Sequence, residues 1–381
     1  MARLINRMDK TLLFLSIIMF IFGLFMIFDA SSMKSFMEYG TNTKYFTKQL
    51  VILIVSLFAS IFIICIPTKK YNRLIIPFCS GILILLLFLL IKGEITSGAQ
   101  SWIYIGSFGL QPSEFAKIGI ILFSGIYYRA NVKNLNRYVP ALIPPVLGAI
   151  FTFLTILQPD AGTGLILFFI TVALFYASPV SKTIKIKSTL FGFGFVVVAI
   201  LFLFIFRTKI LTGSQLNRFN YKEPCTRYEE STGYQVCNGY IAINNGKLLS
   251  ISPGNSQQKY LYLPEAFTDF IFPILVEEFG LIPGVVVILI YMIIIYRCIA
   301  LARKSVNTCN ALICYGVACY IFLHVVINLV GVLGLLPLTG VPLPFISYGG
   351  SFALSLSIAL ALVQRISIEN YNYLQQKVLS K

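Results

Sequence analysis

The feature that most constrains this chain is a series of long apolar segments separated by short polar connections. Clear examples lie at 12–28, 50–67, 74–91 and 285–296. A helix needs about 20 mostly apolar residues to cross about 30 Å of hydrocarbon. Because lipid offers no partner for a backbone N–H or C=O, a spanning segment must be helical or belong to a closed barrel. Barrel strands alternate apolar and polar residues. These segments do not alternate, so they predict membrane-spanning helices.

The overall composition excludes an ordinary soluble domain. Hydrophobic residues make up 57% of the 381 residues and charged residues only 12%, whereas a soluble domain carries about 25% charged residues. A net charge of +16 would suit a nucleic-acid-binding protein. However, the basic residues stand in short groups between apolar segments, as determinants of membrane topology do. No basic stripe with interleaved aromatics is present. We therefore expect membrane lipids, and not nucleic acid, around the protein.

The sequence predicts an all-α polytopic membrane protein. The basic N-terminus and the apolar segment after it resemble a signal peptide, but this segment is longer than a signal core and no A-x-A site follows. An uncleaved first span is the better interpretation. We predict ten spans, at about 11–28, 49–67, 74–92, 113–128, 139–156, 161–178, 189–206, 270–296, 310–335 and 351–365.

The distribution of Lys and Arg predicts the orientation. With the N-terminus inside, every inner segment holds three basic residues, while the short outer loops together hold only Lys34, Lys44, Lys48 and Lys92. An excess of basic residues marks the cytoplasmic side, so both termini should be cytoplasmic. The long loop at about 207–269, between spans seven and eight, should be extracellular. It has no core of its own, so we treat 1–381 as a single membrane domain.

Cysteine positions predict one disulfide. Cys225 and Cys237 both lie in the long outer loop, where an oxidising exterior permits pairing. The other cysteines lie in or beside spans and have the character of small apolar residues. The sequence contains no CxxC motif and no His–Cys cluster of the kind that binds zinc. The single histidine, His324, lies within a span, where it is either a hydrogen bonder between packed helices or a functional group.

Polar motifs collect at the predicted outer ends of the spans. Helix N-termini there favour anions, and ionisable residues within spans are functional candidates. The motifs are GAQSW at 98–102, QPSEFAK at 111–117, QPDAGTG at 158–164, LPEAFTDFIF at 263–272 with EEFG at 277–280, and PLTGVPLPFISYGGS at 337–351.

Several of these residues have two interpretations. Glu114 and Lys117 share a helix face and should pair directly in or near an outward cavity, either to neutralise each other or to shape a pocket for an anionic substrate. Trp102 is either an interfacial anchor or a site residue. Gln-Pro followed by an acid opens both the fourth and the sixth span, either as an ordinary helix start or for a shared role.

Taken together and in this order, the motifs resemble the SEDS family (shape, elongation, division and sporulation), and with the ten spans they cover nearly the whole chain. Residues 254–265 resemble the FtsW-type division and sporulation branch more than the RodA-type branch. The resemblance implies a peptidoglycan glycosyltransferase of the bacterial cytoplasmic membrane. It would polymerise lipid II on the outer face with a divalent metal, Mg²⁺ or Mn²⁺, beside a class B penicillin-binding transpeptidase.

The resemblance also implies roles for single residues. Trp102 would match the family's important outer-loop tryptophan and Asp269 its essential acid, as general base or metal ligand. Phe267 stands where the family usually has His, Ser101 stands where many members have Arg, and 247–253 lacks the common glycine-rich pattern. With Asp269 as the catalytic residue, we expect substrate contacts from Trp102, Glu114, Lys117, Gln158, Asp160, Glu277, Ser347 and Ser351.

Two other functions compete with the enzyme. A lipid II flippase would place its polar residues near the membrane midplane between repeats, whereas here they are concentrated at the outer side. A scaffold of the division machinery without chemistry would leave the acids Glu265, Asp269 and Glu277 unexplained.

Overall fold

The computed structural model describes residues 2–96, 99–106, 108–192, 222–250 and 254–379. Most of the predicted seventh span, 189–206, and the first part of the long loop lie outside these residues. Thirteen α-helices are described. They are α1 Ala2–Ile5, α2 Lys10–Tyr39, α3 Lys44–Cys65, α4 Tyr71–Lys92, α5 Pro112–Ala130, α6 Tyr138–Leu157, α7 Ala161–Ala177, α8 over 182–192, α9 Ser231–Gly246, α10 Ile271–Phe279, α11 Leu281–Arg303, α12 Thr308–Val332 and α13 Gly350–Leu379.

The polytopic helical architecture is confirmed. Within the described ranges, 7 helices are long and apolar enough to cross a membrane. Two further predicted spans are also helical: α7 is a shorter apolar helix, and α5 carries Glu114, Lys117 and Arg129 within 19 residues. The seven are Lys10–Tyr39, Lys44–Cys65, Thr68–Lys92, Tyr138–Leu157, Leu281–Arg303, Thr308–Val332 and Gly350–Leu379.

The eighth predicted span, 270–296, is wrong as a single helix. The chain breaks at Gly280, where φ is 99° and ψ is 170°, a conformation that side-chain-bearing residues rarely adopt. A Cβ at Gly280 would lie 2.6 Å from the carbonyl oxygen of Leu248. The loop backbone takes up the hydrogen bonds that the break releases, because the Leu281 and Ile282 N–H groups donate to the Lys247 and Leu248 carbonyls at 3.0 and 3.1 Å.

A small sheet corrects the purely helical prediction. Strands β1 Glu94–Thr96, β2 Ala99–Ile105 and β3 Phe108–Leu110 form an antiparallel sheet in the order β1-β2-β3. Its backbone is tied to the bundle, since the Gln100 N–H donates to the Gln158 carbonyl at 3.1 Å. We call the end of the bundle that carries this sheet the site end.

Helix α13 lies inside the bundle and α3 lies at its periphery. In the most apolar window of each, 83% of α13 residues are buried but only 11% of α3 residues. Helices α5 and α12 are also largely buried. Buried polar residues of α5, α12 and α13 therefore contact one another, as Lys117 does with His324 and Glu114 with Ser355.

Polar contacts far from the site end join the first helix to the last ones. Asp9 caps α2 by accepting from the Leu12 N–H at 2.9 Å and forms an ion pair with Arg297 of α11. Gln364 of α13 accepts from the Asp9 N–H at 2.9 Å. These contacts fix three helices to one another where the sequence predicts the cytoplasmic side.

The described part of the long loop is held by a disulfide between Cys225 and Cys237, whose Cα atoms are 4.9 Å apart. The bond links a 3-10 turn, Pro224–Arg227, to helix α9. Helix α9 in turn packs on α10, where Phe270 lies close to Gly239. The bond therefore braces α9, which packs against the start of the helix that follows Asp269.

Replacing Cys225 and Cys237 together by Ala should make the loop open more easily, because closing a loop of this size typically stabilises by about 2–4 kcal/mol. We expect protease cleavage between 222 and 250 to become about tenfold faster or more. Cys65→Ala is the matched control, since Cys65 is an exposed free thiol. Equal cleavage rates in the double variant and the parent would contradict the bracing role.

Candidate active site

Two irregular segments meet at the site end. We call residues 263–270 the acid segment and residues 337–349 the proline loop. The Tyr348 N–H donates to the Phe267 carbonyl at 2.8 Å. The Asn328 side chain of α12 donates to the Asp269 carbonyl at 2.7 Å and to the Val341 carbonyl at 2.8 Å. The two segments therefore form one hydrogen-bonded unit against α12.

Asp269 lies in the irregular segment just before helix α10. The helix begins at Ile271 with Phe270 as its N-cap and has no acid in its first turn. Asp269 is half-buried. The Thr268 hydroxyl oxygen lies 2.6 Å from Glu265 Oε2 and 3.2 Å from Asp269 Oδ1, which brings two carboxylates close to one hydroxyl.

The proline loop comes close to the Asp269 carboxylate at Gly340. A Cβ on Gly340 would lie 4.0 Å from Asp269 Oδ2. Gly340 has φ +67°, a left-handed conformation that glycine adopts readily. The turn at Gly340 thus sets how closely the loop approaches the acid.

Lys117 and Glu114 form a fully buried ion pair. Lys117 Nζ lies 2.7 Å from Glu114 Oε1, and the two side chains are 0% and 2% exposed. The direct contact agrees with their shared helix face, and both side chains are almost completely buried. The Ser355 hydroxyl lies 3.3 Å from Glu114 Oε2, and the Tyr320 ring lies 5.4 Å from the ammonium.

His324 connects this ion pair to the proline loop. Lys117 Nζ lies 2.8 Å from His324 Nε2. An ammonium group can only donate, so Nε2 accepts and the ring proton belongs on Nδ1. Nδ1 lies 3.2 Å from the Pro342 carbonyl and can donate to it. Of the two roles left open for His324, hydrogen bonding between packed elements is the one that these contacts describe.

The two Gln-Pro motifs touch each other. Gln111 Nε2 donates to Asp160 Oδ2 at 2.7 Å, and Asp160 Oδ1 accepts from the Thr163 N–H at 3.1 Å as the N-cap of α7. Gln158 is buried and donates to the Leu86 carbonyl at 2.8 Å. The two Gln-Pro motifs therefore join the start of α5 to the start of α7 by a hydrogen bond. Gln158 binds the backbone of α4.

The serines of the proline loop motif also bind backbone groups. Ser347 Oγ accepts from the Leu343 N–H at 2.8 Å. Ser351 Oγ accepts from the Gln111 N–H at 2.9 Å and donates to the Gly109 carbonyl at 3.1 Å. Trp102 packs its ring on the same strand, because a Cβ at Gly109 would lie 2.9 Å from its Cε3 atom. These residues join the sheet, α5 and α13.

Glu277 accepts hydrogen bonds from helix α9 and from the loop at 254–259. Asn245 Nδ2 of α9 donates to its Oε1 at 2.9 Å, and the Gln258 N–H and the Ser256 hydroxyl donate to its Oε2. The carboxylate therefore holds the loop against α9 and α10.

Lys259 adds a second clamp that the sequence reasoning missed. Its ammonium lies 2.8 Å from both Glu278 and Asp29. Burial lowers the pKa of Lys259, but hydrogen bonds and attraction from the two carboxylates outweigh it, so the pKa is raised. Polar residues inside spans are signals of such contacts, and Asp29 in α2 was available as one.

A cavity of about 260 Å³ opens between the end of α2 and the acid segment. Phe267 lies in its wall and packs against Tyr45 and Tyr348 at ring distances of 4.7 and 5.6 Å. The Lys34 ammonium lies 5.2 Å from the Phe267 ring. The position is aromatic and offers no metal ligand. The cavity is lined by Ala30, Lys34, Met37, Glu38, Lys259, Leu261, Leu263, Pro264, Ala266 and Phe267.

Carboxylates near the acid segment could bind a divalent cation only together with other oxygen ligands. Across the described ranges, no group of three or more His, Cys, Asp and Glu side chains could hold a metal. Mg²⁺ is often bound by one or two carboxylates while substrate phosphates and water supply the remaining oxygens. The neighbouring carboxylates of Glu265 and Asp269 fit a cation held in that way.

The chain is similar to known proteins over nearly its whole length and over nearly the whole length of those proteins. Residues 9–372 match the family model FTSW_RODA_SPOVE, described as a cell cycle protein. The chain is similar to a Bacillus subtilis protein named "Probable peptidoglycan glycosyltransferase FtsW", with 33% identity over 374 residues that cover 97% of this chain and 92% of the relative. Stage V sporulation protein E of the same organism is 30% identical over 94% of this chain and 96% of its own length.

Solved structures show the same fold. A structure described as "Structural coordination of polymerization and crosslinking by a peptidoglycan synthase complex" matches with a TM-score of 0.74 and 24% identity, covering 96% of this chain and 98% of that one. The rod shape determining protein RodA of Thermus thermophilus matches with a TM-score of 0.66 and 23% identity over the same shares.

Removing one partner of the buried ion pair should be worse than removing both. Lys117→Met leaves the Glu114 carboxylate buried without a cation and should lower the free energy of unfolding by about 3–5 kcal/mol. Adding Glu114→Gln should restore part of this loss, so the double variant should be more stable than the sum of the single effects by about 1 kcal/mol or more. Denaturant unfolding of the purified protein measures all three variants.

Arg227 and Glu230 provide the matched control. They form a pair with the same i,i+3 spacing at 2.8 Å, but the Glu230 side chain is 43% exposed. The same double-variant experiment there should show coupling of less than about 1 kcal/mol. Strictly additive effects at Lys117 and Glu114 would contradict the energetic role of the buried pair.

Proposed function

Since the chain belongs to the FtsW/RodA/SpoVE family of cell cycle proteins, we propose that it is a peptidoglycan glycosyltransferase of the bacterial cytoplasmic membrane. The observation that carries the proposal is the similarity, over nearly the whole chain, to relatives named peptidoglycan glycosyltransferase FtsW. These names agree with the FtsW-type features of residues 254–265. The substrate would be lipid II, polymerised into glycan strands.

Asp269 is the proposed catalytic acid–base residue. A sugar hydroxyl of one substrate attacks the anomeric carbon of the other, so that a C–O bond forms while the bond to the lipid pyrophosphate breaks. Asp269 accepts the hydroxyl proton, and undecaprenyl pyrophosphate leaves as the anion. Asp269 is half-buried, and the Asn328 side chain holds its backbone carbonyl, which suits this role.

The leaving pyrophosphate needs positive or dipolar partners. Helices α5, α7 and α13 all begin at the site end, and helix N-termini favour anions. A divalent cation, held by Glu265 together with substrate oxygens, would supply further charge neutralisation when bound. Asp269 as a ligand of this cation is the alternative to Asp269 as the base. Trp102, Lys34 and the acid segment would then border the substrate.

The flippase alternative has less support from the position of the polar cluster. Lys117 lies five residues after Pro112, the first residue of α5, which is about 7.5 Å at 1.5 Å per residue. A transporter site between repeats is expected near the midplane. The polar cluster therefore favours chemistry at one surface of the membrane.

The topology and the partner complete the proposal. We propose ten spans with both termini cytoplasmic, an extracellular loop at about 207–269, and a class B penicillin-binding transpeptidase as partner. The basic pattern of the inner segments supports the orientation. The fold match to a structure described as a peptidoglycan synthase complex supports a partner that crosslinks.

Asp269→Asn should preserve folding and membrane insertion but lower polymerisation at least about a hundredfold, the usual scale for losing a positioned acid–base group. The assay incubates the purified protein with labelled lipid II and Mn²⁺ or Mg²⁺ and measures glycan polymer. Glu230→Gln, an acid in the outer loop that is paired with Arg227, should retain near-normal yield. Near-normal polymer from Asp269→Asn would move the assignment to Glu265 and Glu277.

Reporter fusions should place residues 185 and 381 on the cytoplasmic side. Each follows or belongs to a segment with three basic residues, which should remain inside. A reporter active only in the cytoplasm is expected to work at both positions, and one active only outside should work at 230. An exterior signal at 185 or 381 would overturn the proposed topology.

A further inference from the structure

Asn328 makes contacts that the proposed mechanism does not yet use. It lies on α12, one turn after His324, and is 3% exposed. A side-chain amide has two N–H donors. Asn328 points one at the Asp269 carbonyl and the other at the Val341 carbonyl, at 2.7 and 2.8 Å. Both donors are therefore used on backbone groups of two different segments.

These two carbonyls belong to irregular backbone. Asp269 lies before the start of α10, and Val341 lies in the proline loop. Buried backbone carbonyls need donors, and a loop has no regular ladder to supply them. One side chain on a packed helix therefore fixes the position of both segments.

The contact also sets the surroundings of the Asp269 carboxylate. Val341 follows Gly340, whose Cβ position lies 4.0 Å from Asp269 Oδ2. On the other side of the acid segment, the Tyr348 N–H holds the Phe267 carbonyl at 2.8 Å. If Asn328 is lost, the anchor at Phe267 remains, and the Asp269 end of the segment is released from α12.

We propose that Asn328 is a positioning residue that holds Asp269 and the proline loop at a fixed distance from each other. It acts through backbone carbonyls and does not itself touch the reacting atoms. The proposal rests on the assigned role of Asp269. A displacement of about 1 Å at a reacting group can lower a rate about a hundredfold, so the effect should appear in kcat.

The experiment compares Asn328→Leu with Asn310→Leu. Asn310 is a matched control on the same helix. It is 1% exposed, and its side chain donates at 3.0 Å to Glu369, far from the site end. With labelled lipid II, Asn328→Leu should lower kcat about 10- to 100-fold with KM changed less than about twofold. Asn310→Leu should leave kcat within about twofold, even if both variants lose similar thermal stability.

Hydrogen exchange gives a readout that does not depend on activity. Peptides covering 263–270 and 337–349 should exchange faster in Asn328→Leu than in Asn310→Leu. If the wild-type protein makes no polymer, the proposed function fails, and the exchange result still decides whether Asn328 holds the two segments. Unchanged exchange in Asn328→Leu would overturn the positioning role.

Asn328→Gln is a second variant that tests the proposal if Asn328→Leu folds poorly. Asn328→Gln keeps the amide but moves both donors by one methylene, and it should lower kcat several-fold in the same direction. Equal kcat losses in the variants of Asn328 and Asn310 would overturn the proposal. Failure of both Asn328 variants to fold while Asn310→Leu folds would also overturn it, because Asn328 would then be a residue of the core only.

Discussion

The site end depends on how the protein accommodates the ammonium group of Lys117 inside a span. A charge within the hydrocarbon region is costly unless it is paired and hydrogen-bonded. Glu114 lies on the same helix, but His324 lies on α12, so satisfying Lys117 fixes α5 against α12. Because the other His324 nitrogen faces the Pro342 carbonyl at 3.2 Å, the same charge also fixes the proline loop. One buried cation thus determines the relative positions of two helices and a loop.

Much of the fold follows from short-range sequence patterns. Apolar segments of about 20 residues predict spans whatever their partners are, and most of them are described as helices. The direct contact of Glu114 and Lys117 follows from helical spacing. The cysteine pair could be chosen because only two cysteines lie in the outer loop. These predictions need only the residues of one segment, or the side of the membrane on which a residue lies.

The features that could not be predicted depend on distant partners. The break at Gly280 exists because the 247–250 backbone packs there, and apolar sequence continues on both sides of it. The sheet forms over short strands that alternate too briefly to stand out from a loop. The hydrogen bonds of Glu277 come from donors 19 to 32 positions away in the sequence, which no local pattern indicates. Asn328 gave no signal beyond polarity within a span, because its role is defined by two carbonyls in other segments.

A residue that exchanges a proton with substrate must be both accessible and fixed, and these demands conflict for a side chain on a loop. Here the two demands fall on different parts of the chain. Asp269 is half-buried, while the backbone around it is held at Phe267 by Tyr348 and at its own carbonyl by Asn328. Precision therefore comes from the packed helix α12 and the proline loop. At position 267 the anchoring contact uses the Phe267 carbonyl, and the aromatic ring fills the space between Tyr45 and Tyr348.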